Sequence, residues 1–238
     1  MSKVEIITRC YNRLEYTSMC IRSIKHLTDY EDYNHIIIDQ GSTDGTPQFL
    51  NSLEKEKFYN LKVKYNKTNS GDAGGMLDGY KMIDGDCKYL FQFDNDCEVI
   101  TENYMEKLVN VMDSNPKIGI IMLKRNGVIN KLNPSNLRKI NDIMVGNIDA
   151  ATCCMIIRRE LLDKINVWFT GEKIHWGFKI SSEIKKLGYS ILKSTDVQVN
   201  HIDGGNAKHK QNKKYPSYVN SITKKGSNYR KINYNEKK

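Results

Sequence analysis

The sequence predicts an α/β fold: a mixed, mostly parallel sheet flanked by helices, in a single domain with a basic tail. Two patterns carry this expectation. Short apolar runs suited to buried strands alternate with longer segments whose apolar residues recur at helical spacing. Across residues 1–100 the order reads β-α-β-α-β-α-β, which implies parallel strands joined by right-handed crossovers.

Val4 to Thr8 is the first apolar strand, and Arg9 to Arg13 a turn opening a helix. Tyr16, Cys20, Ile24 and Leu27 give that helix one buried face. His35 to Asp39 is apolar enough to be buried on both faces of a sheet. Gln40 to Pro47 comes after it, and Thr46-Pro47 is a good helix start. A helix to about Lys57 and a strand from Leu61 to Tyr65 come next. Asn69 to Gly75 is glycine-rich and precedes the helical stripe Ala73, Met76, Leu77, Tyr80 and Ile83. Glycines at a helix start serve an anion held by free N–H groups, or close packing on the sheet, and both readings stand. Asp84-Gly85-Asp86 is the loop into the strand Tyr89 to Phe93.

The later half is less regular. Thr101 to Ser114 reads as a helix with Thr101 as N-cap, and Ile118 to Leu123 as a strand. Asn126-Gly127 is a hairpin signal, and residues 132–148 are Asn-rich and irregular. Ala150 to Ile157 is a strand, followed by a short helix to about Ile165. Phe178 to Leu187 is a helix capped by Gly188, and Tyr189 to Leu192 and Val197 to Val199 are strand-like.

The chain has 238 residues, 39% of them hydrophobic, enough for one large domain. No apolar run is long enough to span a membrane, and the N-terminus lacks the layout of a signal peptide. Six cysteines show no C-x-x-C pair and no zinc spacing. They read as reduced thiols, and the expected location is cytoplasmic, either free or peripheral at the inner membrane surface. Residues 1–206 are the expected domain. Residues 207–238 hold ten basic residues against the single acid Glu236, so the tail carries the whole net charge of +9. Tyr215, Tyr218, Tyr229 and Tyr234 are interleaved with them. Such a segment suits an anionic partner (nucleic acid, acidic lipid or a charged glycan) or is a solvated tail.

The chemistry concentrates where Phe93 meets Asp94-Asn95-Asp96. In an open α/β sheet, ligands bind beyond the carboxyl ends of strands. Two carboxylates delivered there can hold a hard divalent cation against phosphates, and the same letters also suit a plain turn. His201 closes the last strand run. Alone it reads as a strand-end histidine bonded to a carbonyl, and beside Asp-x-Asp it reads as a ligand.

Taken in order, these segments resemble family 2 glycosyltransferases with the GT-A fold. Ile36 to Thr46 (IIIDQGSTDGT) is similar to the family's second-strand signature. Ile7-Thr8-Arg9-Cys10-Tyr11-Asn12-Arg13 is similar to its first-strand segment, and Asn69 to Gly75 to its glycine segment. Phe93 to Asp96 resembles its metal-binding Asp-x-Asp, and Asn200 to Gly205 its late His-x-x-Gly-Gly element. The resemblance implies a metal-dependent, inverting transfer of a sugar from a nucleoside-diphosphate sugar to a hydroxyl, with a glycan or other anionic acceptor. It implies that Thr8, Tyr11, Arg13 and Asp39 line the nucleoside pocket and that Gly71, Gly74 and Gly75 let backbone approach the donor. Asp94 would face the ribose and metal, and Asp96 and His201 would hold Mn²⁺ or Mg²⁺.

Three departures stand out. Gln40 replaces a second acid, and Asp78 replaces an Asn. Trp176-Gly177 stands where the family's Glu-Asp supplies the general base. Glu172, His175 and Glu183 are the nearby proton acceptors, with Glu172 the first choice, and Trp176 is either an acceptor platform or core. Two other functions are compatible with these features: a DNA-modifying glycosyltransferase docked through its tail, and a nucleotide-sugar-binding module without turnover.

Overall fold

The computed structural model describes residues 3–126, 132–168 and 175–202. The predicted parallel half is present. Strands β1 (Val4–Cys10), β2 (Tyr33–Asp39), β3 (Leu61–Tyr65) and β4 (Tyr89–Asp94) pair in parallel in the order β3-β2-β1-β4. Helices α1 (Leu14–His26), α2 (Thr46–Lys55) and α3 (Gly71–Tyr80) make the crossovers.

The second half completes a ten-stranded mixed sheet. It comprises β5 (Cys97–Val99), α4 (Tyr104–Ser114), β6 (Ile118–Asn126), β7 (Leu137–Ile140), β8 (Ile143–Asn147), β9 (Met155–Arg158), α5 (Trp176–Lys186) and β10 (Ser190–His201). Beyond β4 the order runs β9-β6-β10-β8-β7, and β5 pairs with β10. Strand β9 is antiparallel to both neighbours, and β10 is parallel to β6.

Strand alternation sorts the side chains into two layers. Val4, Ile6, Phe91 and Phe93 share one core with Cys20 and Ile24 of α1 and Tyr104 and Leu108 of α4. Ile7, Ile36, Ile38 and Leu90 face the other way, under Met76 of α3 and Trp176 and Ile180 of α5. Contact on that second face is close. A Cβ on Gly79 would stand 2.6 Å from Ile7 Cγ2, so α3 sits against β1 only because that position has no side chain.

Several expectations need correction. Residues 132–148 hold the β7–β8 hairpin, whose outer strand carries charged Arg138 and Lys139, a common guard on a sheet edge. Thr101 does not cap α4. Its hydroxyl accepts from Gln198 N and donates to Asp196 O, while Asn103 occupies the cap position at φ 52°. The strand expected over Ala150–Ile157 starts only at Met155, and the helix after it is a single 3-10 segment, Arg159–Lys164. The two late strand-like runs are one strand, β10, with a bulge between Lys193 and Gln198. Gly127 and the tail 207–238 lie outside the described residues. Among the described residues no helix is long and apolar enough to cross a membrane.

His35 is fully buried in β2, with Nε2 2.8 Å from Thr8 Oγ1 and Nδ1 against the Tyr59 hydroxyl. Burial pushes its pKa down to about 3. An unfolded chain takes this proton below its ordinary value of 6.5, whereas the folded chain stays neutral. Stability therefore falls as the pH drops from 6.5 towards 3, by up to about 1.4 kcal/mol per pH unit from this residue. Urea midpoints across that range should decline less steeply in His35→Gln than in the wild type, whatever the variant's starting stability.

Candidate active site

A cavity of about 380 Å³ opens at the carboxyl ends of β1, β2 and β4. Strand order reverses between β1 and β4, and that crevice is where open α/β sheets bind ligands. Its size is within the range of small-molecule sites. Its wall comes from the ends of β1 and β2, the start of α3 and the turn after β4.

Register places the first pair of charges. Arg9 lies directly beside Asp94 across β1 and β4, and both point to the face covered by α3 and α5. Arg9 Nη2 donates to Asp94 Oδ1 at 2.7 Å, and Gln92 Nε2 donates to the same oxygen at 2.6 Å. Burial raises the Asp94 pKa, against the pull of Arg9. Burial likewise lowers the Arg9 pKa, against the pull of Asp94. Arg9 also pairs with Asp72 in the first turn of α3.

The turn Asn95-Asp96 is pinned on both sides. Asn95 Nδ2 donates to Thr17 Oγ1 of α1 at 2.9 Å, and Ile202 N donates to the Asp96 carbonyl at 2.8 Å. Pairing of β5 with β10 puts His201 opposite Cys97. His201 Nε2 thus stands 3.4 Å from Asp96 Oδ1, and Arg13 Nη1 stands 3.5 Å from Asp96 Oδ2. The Asp96 hydrogen bond is the main cause of a raised His201 pKa. Ligand atoms of Asp96, His201 and Cys97 all lie within 4.8 Å of one another, and a carboxylate with an imidazole is a donor set suited to Mn²⁺. Among the described residues, His201 Nδ1 is buried with no hydrogen-bond partner. The residues present therefore fit a divalent cation.

Of the residues expected in the site, Tyr11, Arg13, Gly71, Asp94 and Asp96 line the cavity. His201 adjoins it through Asp96. Thr8 is fully buried and its hydroxyl is engaged with His35, so it stands behind the wall. Asp39 is also behind it, its Oδ1 accepting from the backbone N–H and hydroxyl of Ser42 and shaping the turn after β2. Gly74 and Gly75 lie inside α3, not against the cavity. A Cβ on Gly75 would stand 2.9 Å from Gln40 Nε2 and 3.1 Å from Arg9 Cδ, so close packing is their structural role. Glu172 lies outside the described residues. Glu183 pairs with Lys179 and Lys186 along α5.

The structure adds Arg9, Asp72 and Gln40 to the residues expected in the site. Gln40 Oε1 accepts from Ser70 N at 3.0 Å, and Gln40 Nε2 donates to Gly71 O at 3.1 Å, so it holds the start of α3 in place. A guanidinium near the end of a largely apolar strand is the sequence signal for Arg9. Asp72 gives none, because its partner is 104 residues away: Oδ2 accepts from Trp176 N at 2.9 Å. Trp176 is 1% exposed and stacks on Trp168, which makes it core. His175 caps α5, with Nδ1 accepting from Gly177 N at 3.1 Å, and burial lowers its pKa. Its neutral form therefore carries the proton on Nε2.

These features define a charged ligand cavity at the switch point of an α/β sheet, with a carboxylate and an imidazole fit for a cation. The profile described as "Glycosyl transferase family 2" matches residues 5–166, and the chain belongs to that family. A glycosyltransferase of Rickettsia bellii is 30% identical over 115 residues, 48% of this chain and 16% of that protein. Residues 1–349 of S. aureus TarS, solved with UDP-GlcNAc, superpose with a TM-score of 0.64 at 18% identity, covering 83% of this chain and 57% of that one. The mannosyltransferase PcManGT of Pyrobaculum calidifontis, solved with GDP-Man and Mn²⁺, gives 0.69 at 15% identity, covering 94% and 65%. These likenesses show the fold, and the chain spans less than two thirds of each of these proteins.

Gly177 has the tightest surroundings at the site's edge. A Cβ there would stand 2.4 Å from the Ala151 carbonyl oxygen, a backbone atom that cannot swing aside. Gly177→Ala should destabilise the fold by about 1–3 kcal/mol, typical of overpacking, read as a lower urea midpoint.

Proposed function

We propose that this chain transfers a sugar from a nucleoside-diphosphate sugar to a hydroxyl, with a divalent cation and with inversion at the anomeric carbon. One observation carries the reading: the Asp94–Asp96 turn sits in a cavity at the strand-order reversal, with His201 against Asp96. Transfer expels a diphosphate, so negative charge grows on its terminal oxygen in the transition state. Asp96 and His201 would hold Mn²⁺ or Mg²⁺, and a bound cation would offset that charge. Arg13, beside Asp96, would add a positive group on the same side.

The acceptor's proton needs a base within hydrogen-bond reach. Three acids line the cavity: Asp72, Asp94 and Asp96. Asp94 is engaged by Arg9 and Gln92, and Asp96 serves the cation. We take Asp72: like Asp94 it pairs with Arg9, and it accepts from Trp176 N, but a carboxylate keeps free lone pairs, and this one stands at the start of α5, where the family's acidic pair is missing. His175 is a poor alternative, since the nitrogen able to accept a proton is already bonded to Gly177 N. In this scheme the acceptor O–H gives its proton to Asp72, and its oxygen bonds to the anomeric carbon. The bond from that carbon to the diphosphate breaks, and its electron pair leaves with the diphosphate. Glu172 remains the base expected from sequence. The basic tail favours an anionic acceptor, such as a charged glycan.

The test is release of nucleoside diphosphate from UDP-GlcNAc and GDP-Man with Mn²⁺, with water as the acceptor. Asp96→Ala should lower the rate by about 10²–10³-fold and remove the Mn²⁺ dependence of donor binding. Equal rates in variant and wild type overturn the transferase reading. Asp72→Asn keeps an oxygen for Trp176 N but cannot take a proton. It should lower the rate by about 10²–10⁴-fold, with donor Kd measured alongside to separate loss of the base from loss of the Arg9 pair. An unchanged rate in Asp72→Asn would return the role to Glu172.

A further inference from the structure

Three buried cysteines, one of them far in sequence from an adjacent pair, meet beside the Asp96 turn. Cys97 opens β5, and Cys153 and Cys154 immediately precede β9. Their sulfurs all lie within 4.8 Å of one another, and all three residues are buried in the same core. Successive residues of an extended chain send side chains to opposite faces. Two adjacent cysteines therefore do not ordinarily converge on a third. Here Cys154 adopts φ 38°, in the left-handed region, and the chain turns so that both sulfurs approach Cys97. Strain of this kind persists where surrounding structure enforces it, and it clusters at functional sites. Filling a core with small apolar groups requires neither convergence nor strain. The other cysteines, Cys10, Cys20 and Cys87, are also buried and join no such group among the described residues.

We propose that Cys97, Cys153 and Cys154 form a thiolate site for a borderline-soft cation of the Zn²⁺ class. Zn–S bonds of about 2.3 Å hold sulfurs about 3.8 Å apart in a tetrahedral site, inside the 4.8 Å within which these three lie. On binding, each thiol gives its proton to solvent and a sulfur lone pair to the cation. Three protons leave per ion, and nothing is oxidised or reduced. Cys97 Sγ also stands 3.9 Å from Asp96 Oδ1. Ligand softness separates this site from the carboxylate–imidazole pair above it, because thiolates select zinc over Mg²⁺. With the sulfurs sealed from solvent, the cation enters as the chain folds. The site does not depend on the transferase reading.

The full chain is refolded under reducing conditions with Co²⁺ as an optical probe. The expected result is one equivalent of bound Co²⁺ with a sulfur-to-cobalt charge-transfer band, lost on refolding with excess Zn²⁺ and kept with excess Mg²⁺. Cys153→Ala should abolish the band, and Cys87→Ala, which removes a buried thiol outside the group, should keep it. The double variant Asp96→Ala, His201→Ala should also keep it, which distinguishes this site from the hard pair. Circular dichroism checks folding, and Cys154→Ala provides a second removal if Cys153→Ala does not fold. No charge-transfer band in the folded wild type, or an undiminished band in a folded Cys153→Ala or Cys154→Ala chain, would overturn the proposal.

Discussion

The arrangement depends on a guanidinium held at the end of a central strand. Arg9 has a side chain only 9% exposed and cannot shed its charge, so the fold must supply anions around it. It supplies two, from different elements: Asp94 at the end of β4 and Asp72 at the start of α3. Asp72 in turn receives the Trp176 N–H at the start of α5. One buried cation thus ties a strand end and two helix starts to a fixed geometry. Removing one partner from such a pair typically costs about 3–5 kcal/mol. The cavity wall and the fold are therefore stabilised by the same contacts.

The same geometry divides work between the two carboxylates of the Asp-x-Asp turn. Asp94 is directed inward by strand alternation and is spent on Arg9 and Gln92. Asp96 lies one residue beyond Asn95, whose side chain is anchored to α1, and it faces His201 and Arg13. Two acids one residue apart thus enter different networks. The chain direction at the strand's end, more than their spacing, decides which one meets the ligand side.

The parallel half was legible because its signals are local. Apolar runs such as Ile36-Ile37-Ile38, helical stripes and the Thr46-Pro47 start each name an element without reference to distant residues. The β7–β8 hairpin was not legible, since it is short, exposed on its outer strand and rich in residues that also suit loops. Within the site, motif positions were readable, but the use of each side chain was not. Thr8 turned inward to His35, and Asp72 found its partner on a helix 104 residues away. Convergence of Cys153 and Cys154 on Cys97 depends on one left-handed residue, which sequence spacing does not reveal.

Strand β10 fixes the point from which the basic tail departs. It ends at His201, and Ile202 donates its N–H to the carbonyl of Asp96. Ile202 is therefore one hydrogen bond from the main chain of Asp96. Contact between the basic residues of 207–238 and a polyanion seated at the cavity would then be an intramolecular event. Its strength would be set by tether length and effective concentration as much as by charge. Moving the same basic sequence to the N-terminus would preserve the net charge and lose that proximity.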